Sequence, residues 1–225
     1  MSALDILLSR YPIFRHTTDM VPGIVLAAVL FACLRPWRKR RLAARGLQSV
    51  PLRESALLLF WLFCGGMAVI TLTPRWLSFL GTLRYGLPPD ITVFGADGTA
   101  LFRPGDINLI PCQTFGQVRY VLLGNIVMFV PFGLFPGLLF RGFGWKRALL
   151  TGFCVTAFIE CWQLCVGRAF DIDDLLLNTL GAFCGWLLAL ALRRLFPRFS
   201  AKLLVSTQLP VNLRGIFHVR THHPN

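Results

Sequence analysis

The chain has 225 residues, of which 55% are hydrophobic and 15% charged, with 20 phenylalanines. Globular chains carry about 25% charge, so a water-soluble single domain that hides its apolar groups is excluded and the core must extend into lipid. A net charge of +13 would ordinarily suggest a nucleic-acid partner, but the cations sit in short blocks between long apolar runs. That is the pattern of membrane topology, and no nucleic-acid partner is expected. Cys33, Cys64, Cys154, Cys161, Cys165 and Cys184 fall inside apolar runs and Cys112 alone in a polar stretch, so the sequence indicates no structural disulfide.

A membrane-spanning helix needs about 20 apolar residues, because hydrocarbon offers the backbone no hydrogen bonds. Five segments qualify in chain order: Met20 to Leu34, Ser55 to Thr73, Val121 to Phe140, Ala148 to Val166 and Leu175 to Leu192. The first is short and needs tilt or help from its flanks. The fold expected is an all-α polytopic membrane bundle of about five transmembrane helices. Arg35, Arg38, Lys39, Arg40 and Arg41 follow the first apolar stretch rather than precede it, unlike a cleavable signal peptide. The N-terminus is therefore expected outside and the C-terminus in the cytoplasm.

Loop charges agree with that orientation. Residues 35–54, 141–147 and 193–225 hold seven, three and six Lys or Arg, against two, four and one in residues 1–19, 74–120 and 167–174. Of the acids, Glu54 alone falls on the basic side, Glu160 lies within the fourth span, and the rest lie opposite. Three regions follow: an N-terminal segment 1–54, a membrane domain 55–195 with one larger extracytoplasmic loop at 74–120, and a basic tail 196–225. In the loop, Ile91–Phe94 and Thr99–Phe102 flank a Gly95-Ala-Asp-Gly98 turn and predict a short hairpin. In the tail, Leu203 to Val211 has strand-like residues without a visible partner. His218, His222 and His223 there are assigned to an unstructured tail rather than to a metal site.

Polar groups inside spans are costly and mark function by default. At 1.5 Å per residue, Asn125, Glu160 and Asn178 lie roughly 6, 9 and 5 Å below the outer ends of their spans. Glu160, Gln163 and Gly167 share one helical face, and Asp174, Asn178, Gly181 and Gly185 share another; the two faces are expected to meet. Gly181 with Gly185, and Gly133 with Gly137, permit close helix approach. Pro131 and Pro136 free the carbonyls of Val127 and Phe132, predicting a bend near Asn125 that opens the outer half of the bundle into a cavity, or simply a kinked helix.

The loop Gly167-Arg-Ala-Phe-Asp-Ile-Asp-Asp174 holds the remaining chemistry. Asp171 is suited to cap the fifth helix and Asp174 to sit three residues on, both favouring the positive end of the helix dipole; Asp173 is expected as a solvated carboxylate. Arg168 either snorkels to the headgroups or hangs over the cavity, pairs Glu160 or Asp171, and presents its fork to an anionic group. Cys161 and Cys165 are expected as small buried packing residues.

The segments Asn108-Leu-Ile-Pro111, Asn125-Ile-Val-Met-Phe-Val-Pro-Phe-Gly133 and Glu160-x-x-Gln163-x4-Arg168-x-x-Asp171-x-x-Asp174-x3-Asn178-x-x-Gly181 together resemble the VanZ-like family of small bacterial membrane proteins, over roughly residues 55 to 195. The resemblance implies a multi-pass protein of the bacterial cytoplasmic membrane. It also implies a link to teicoplanin, the lipid-tailed glycopeptide to which the family's namesake lowers susceptibility. It brings no catalytic assignment, cofactor or metal.

Two classes of function fit these residues. In the first, a binding module, Asn125, Glu160, Gln163, Arg168, Asp171, Asp174 and Asn178 line an outward pocket for an anionic or amide-bearing headgroup, a lipid-linked wall precursor or the glycopeptide itself. Arg168 and Asn178 would touch the ligand while Glu160 and Gln163 order the network. In the second, a membrane enzyme acting on a lipid or lipid-phosphate headgroup, Glu160, Asp171 and Asp174 supply acid–base chemistry or hold a bridging cation. The chain has no Ser/His/Asp set, HExxH or phosphate-cradling glycine loop. No cofactor is expected. Five spans without an inverted repeat disfavour a self-sufficient transporter, although a homo-oligomer could pair two copies.

Overall fold

The computed structural model describes residues 12–72, 107–111, 119–165 and 169–207. Within them, six helices run in the order α1 (Pro12–Ala43), α2 (Pro51–Leu72), α3 (Arg119–Leu139), α4 (Trp145–Cys165), α5 (Ile172–Leu195) and the short α6 (Pro197–Leu203). Four two-residue strands punctuate them: β1 (Leu47–Gln48), β2 (Ile107–Asn108), β3 (Phe170–Asp171) and β4 (Ser206–Thr207). Five of the helices are long and apolar enough to cross a membrane, as the hydropathy of the sequence predicts. The hairpin expected at Ile91–Phe94 and Thr99–Phe102, and the three histidines of the tail, lie outside the described residues.

The first span is longer than its apolar run. The helix continues beyond Leu34 through Arg35-Pro-Trp-Arg-Lys-Arg-Arg41 to Ala43, because arginine, lysine, leucine and alanine are good helix formers. Pro36 is accommodated within it. Gly46, at φ 65°, turns the chain into β1; that left-handed conformation is one glycine adopts without a Cβ penalty.

In lipid, helices gain nothing by hiding apolar surface from water, so association rests on close packing and hydrogen bonds. Among the described residues the α3–α5 contact is the most extensive, and it is built on glycine. A Cβ at Gly181 would overlap the Ile126 carbonyl oxygen, one at Gly185 the Val130 carbonyl, and one at Gly133 the Ala182 carbonyl. The two backbones therefore touch along three turns. The prolines do not interrupt this, since α3 runs as one helix through Pro131 and Pro136. The α1–α2 seam repeats the device, with Gly23 and Gly65 each against the other's carbonyl oxygen.

Phenylalanines join α2 to this pair. Phe60 and Phe63 of α2 meet Phe132 edge-on at 5.8 and 5.9 Å between ring centroids, and Phe129 lies 5.2 Å from Phe132. Such pairs contribute about 0.5–1.5 kcal/mol each beyond burial. Residues 196–207, at the start of the tail, contain regular structure. Leu203 of α6 is buried in a cluster with Leu138, Leu139 and Ala189, and β4 pairs antiparallel with β1, Leu47 opposite Thr207 and Gln48 opposite Ser206. The partner missing from the local sequence thus lies about 160 residues earlier in the chain, a distance periodicity cannot bridge.

The seam yields a direct test. Gly185→Ala forces two backbones apart and should lower stability by about 1–3 kcal/mol, measured by thermal or denaturant unfolding in detergent. Gly124→Ala on the same pair, where an added Cβ meets nothing within 4 Å, should leave it unchanged or slightly raised. Equal effects of the two substitutions would show that the seam is not close-packed.

Candidate functional site

One end of the bundle gathers the last turn of α2, the first turns of α3, the last turns of α4 and the start of α5. The loop before α5 organises it. Asp171, in extended conformation at φ −126° and ψ 123°, caps α5, its carboxylate accepting the Asp173 N–H at 2.9 Å. This is the capping role its sequence position suggests. The same carboxylate oxygen also accepts from the Asn108 amide at 3.3 Å. Asn108 turns its own carbonyl oxygen to the Ile110 N–H, 3.2 Å away, an Asx turn. Its strand β2 lies parallel to β3, with Ile107 opposite Phe170 and Asn108 opposite Asp171. The Asn108-Leu-Ile-Pro111 segment is thereby stitched onto the α4–α5 loop from 63 residues away.

Glu160 anchors that loop from below. It is 2% exposed, and its carboxylate accepts the Asp171 N–H at 3.1 Å. Gln163 and Trp162, one turn further along α4, serve α2. The Gln163 amide donates to the Thr71 carbonyl at 3.3 Å and the Trp162 indole N–H to the Leu72 carbonyl at 2.8 Å. Carbonyls in the last turn of a helix have no partner within it, so these two side chains fasten α2 to α4.

Between the helices the remaining polar groups pair. The Asn125 amide of α3 donates to the Asp174 carboxylate of α5. The Asn178 amide of α5 donates to the Thr156 hydroxyl of α4 at 2.9 Å, both residues being buried. The Asn178 carbonyl oxygen is also buried and has no hydrogen-bond partner, an arrangement that costs about 1–3 kcal/mol in most proteins. Acidic residues in the first turn of α5, Asp173 and Asp174, face the positive end of its dipole.

The structure therefore brings together Asn125, Glu160, Gln163, Asp171, Asp174 and Asn178, but divides their work in a way the helical wheel does not predict. Gly181 and Gly185 face α3 rather than the Glu160 face of α4, Asp174 bonds to α3, and Asn178 bonds to α4. Arg168 lies outside the described residues. Asp173 is a correction: expected as a solvated carboxylate, it is fully buried. Cys161 and Cys165 are another, both exposed on the outer surface of α4. About 100° per residue rotates them away from the inward Glu160 and Gln163. Glu160, Asp173 and Asn178 are packed among the helices. An open cavity of about 490 Å³ lies elsewhere, between α1 and α2, with an apolar lining that includes Gly23, Leu26, Leu30, Trp61, Val69 and Leu72. Among the described residues no three His, Cys, Asp or Glu side chains form a metal-holding group.

Sequence reasoning missed Thr156, Thr71, Trp162 and the bonding role of Asn108. Thr156 had a signal, since it precedes Glu160 by one turn on the same face; Thr71 and Trp162 had none.

Residues 60–193 match the VanZ/LLP1 family model. The chain belongs to this family. The protein named Protein VanZ of Enterococcus faecium is 30% identical over 123 residues, which cover 54% of this chain and 69% of that protein. No solved structure matches the chain. With five helices fit to span a bilayer, this member is a multi-pass membrane protein, and the matched region contains every bond of the α3–α4–α5 polar network while leaving α1 and α6 outside.

The Thr156–Asn178 bond can be weighed by a double-mutant cycle. Thr156→Val and Asn178→Leu should each destabilise the protein, and the pair together should cost less than the sum, with a coupling of about 0.5–2 kcal/mol. Strict additivity in reversible unfolding would mean that the two side chains are not bonded.

Proposed function

We propose that this member of the VanZ/LLP1 family uses the polar end of its bundle to recognise a hydrogen-bonding headgroup at the extracytoplasmic face of a bacterial cell membrane. The ligand is a lipid-linked cell-wall precursor or a lipid-tailed glycopeptide of the teicoplanin type, and binding lowers susceptibility to that drug. In this reading the N-terminus lies outside and the C-terminus in the cytoplasm. The observation that carries it is the polar network at the start of α5, where Asn125 and Asp174, both partly exposed, sit above the buried Glu160 and Asn178. Hydrogen-bonding groups inside an apolar span are retained at a cost, and here they belong to three helices at one level.

The roles follow from the bonds. Glu160 and Gln163 order the site, the first by holding the Asp171 backbone and the second by fixing the end of α2. Asn125 and Asp174, a bonded pair that water reaches in part, supply both an amide and a carboxylate to a ligand rich in peptide groups. Arg168, three residues before Asp171 in the sequence, would meet the ligand's anionic group through its guanidinium fork. The relative named Protein VanZ in Enterococcus faecium supports a function of the same kind.

The test compares teicoplanin and vancomycin in susceptible cells expressing the wild type, Glu160→Ala or Asn125→Ala. The inhibitory concentration of teicoplanin should rise with the wild type while that of vancomycin stays fixed. The rise should vanish in both variants at matched membrane levels of protein. Protection that persists in Asn125→Ala would remove the polar end from the function. Headgroup turnover by purified protein that is lost in Glu160→Gln would assign an enzyme instead.

A further inference from the structure

The opposite end of the bundle holds a second charged cluster. Arg38, in the last turns of α1, donates from Nη2 to the Glu54 carboxylate at 2.9 Å. Arg53, beside Glu54 at the start of α2, reaches the Ser49 hydroxyl from Nη1 at 3.4 Å. Aromatic faces hold both guanidiniums in place: Arg38 lies 4.0 Å from the Phe31 ring centroid and Arg53 5.9 Å from that of Phe140. Arg53 is 5% exposed and Glu54 9%. The cluster thus contains two cations and one anion in a nearly dry setting.

Its donors are incompletely used. Arg38 Nη1 and Arg53 Nε are both buried and have no hydrogen-bond partner. A buried charged donor without an acceptor is more costly than a neutral one, and the Glu54 carboxylate bonds Arg38 while Arg53 reaches only the Ser49 hydroxyl. The unmatched positive charge and the two idle N–H groups define the missing group as an oxyanion. We propose that this cluster is a binding site for the phosphate of an anionic membrane phospholipid.

Three features select a lipid over a free ion. The site sits where apolar spans end and cations crowd: Arg35, Lys39, Arg40, Arg41, Arg141 and Lys146 occupy the same end of the bundle. Basic pockets between spans at such a level hold lipid headgroups. The site can be reached from outside, since the Arg38 side chain keeps 20% exposure. The apolar cleft between α1 and α2 lies next along the same pair of helices, toward the other end. Phe31, which carries Arg38, also packs edge-on against Trp61 at 6.2 Å, and Trp61 with Leu30 begins the cleft that runs to Gly23 and Leu72. An acyl chain attached to a phosphate at Arg38 and Arg53 would lie in that cleft. A headgroup bearing its own cation would be repelled by the surrounding arginines and lysines, so net-negative phospholipids are favoured.

The experiment uses the full chain in detergent, titrated with phosphatidylglycerol, phosphatidylcholine or inorganic phosphate, with bound lipid counted by native mass spectrometry and stability followed by thermal unfolding. Phosphatidylglycerol should bind with one tight site and raise the unfolding temperature, phosphatidylcholine should bind more weakly, and inorganic phosphate should do neither at the same concentration. Arg53→Lys and Arg38→Lys keep the charge but lose the fork, and each should weaken phosphatidylglycerol by about tenfold, the scale of one charge-assisted hydrogen bond. Arg141→Gln, which removes an exposed cation at the same end, should retain the tight site. Should one Lys variant not fold, the other still decides. Unchanged affinity in the folded Lys variants, a loss in Arg141→Gln equal to theirs, or equal stabilisation by inorganic phosphate would overturn the proposal.

Discussion

Contact of the α3 and α5 backbones through Gly133, Gly181 and Gly185 is the constraint on which the other arrangements rest. With no water to expel, two helices in lipid are held by dispersion, and dispersion falls off within an ångström of the optimum distance. Glycine brings the main chains to that optimum. Once they touch, the rotation of α5 is set, and its first turns must place Asp174 toward α3 and Asn178 toward α4. A wider seam would leave both side chains short of their partners, with carboxylate and amide facing hydrocarbon. The glycines and the polar network are therefore one device, in which close packing makes the hydrogen bonds reachable and the bonds fix the register of the packing.

Charge is sorted along the same axis. Glu160, Asp171, Asp173 and Asp174 gather at one end, and Glu54 is the only carboxylate among the described residues at the other, set among arginines. Each end handles its buried charge differently. At the acidic end neutral amides bind the carboxylates, the backbone N–H groups of Asp171 and Asp173 together with the side chains of Asn108 and Asn125. At the basic end side chains do it, through an ion pair and aromatic faces. Backbone donors are pre-positioned by the helix start and lose little entropy on bonding, whereas long arginine side chains must be immobilised by rings.

Much of this was legible in the sequence because it is local. The five spans follow from runs of apolar residues, the glycine stripe from spacing of three and four, and the Asp171 cap from its position ahead of an apolar periodic segment. What escaped depends on chain segments that meet only in the folded protein. Asp173 looks solvated when residues 167–174 are read alone, and nothing in that stretch announces that the Asn108 strand is laid along it. Gln163 looks like a pocket residue until the end of α2 is found beneath it. Ser206–Thr207 looks partnerless until the loop after α1 comes round. The exposed Cys161 and Cys165 show a different failure: thiols are buried in soluble proteins to avoid water, and on a span surface the alternative to the interior is lipid, which receives them equally well.

The position of α2 has a mechanical consequence. Its last turn is tied to α4 by Gln163 and Trp162, its first turn carries Glu54 against Arg38 of α1, and α1 packs chiefly on α2. The helix, 22 residues long, is thus a push-rod joining the two polar ends. An axial slip of a single residue, about 1.5 Å, would strain the fastenings at both ends at once.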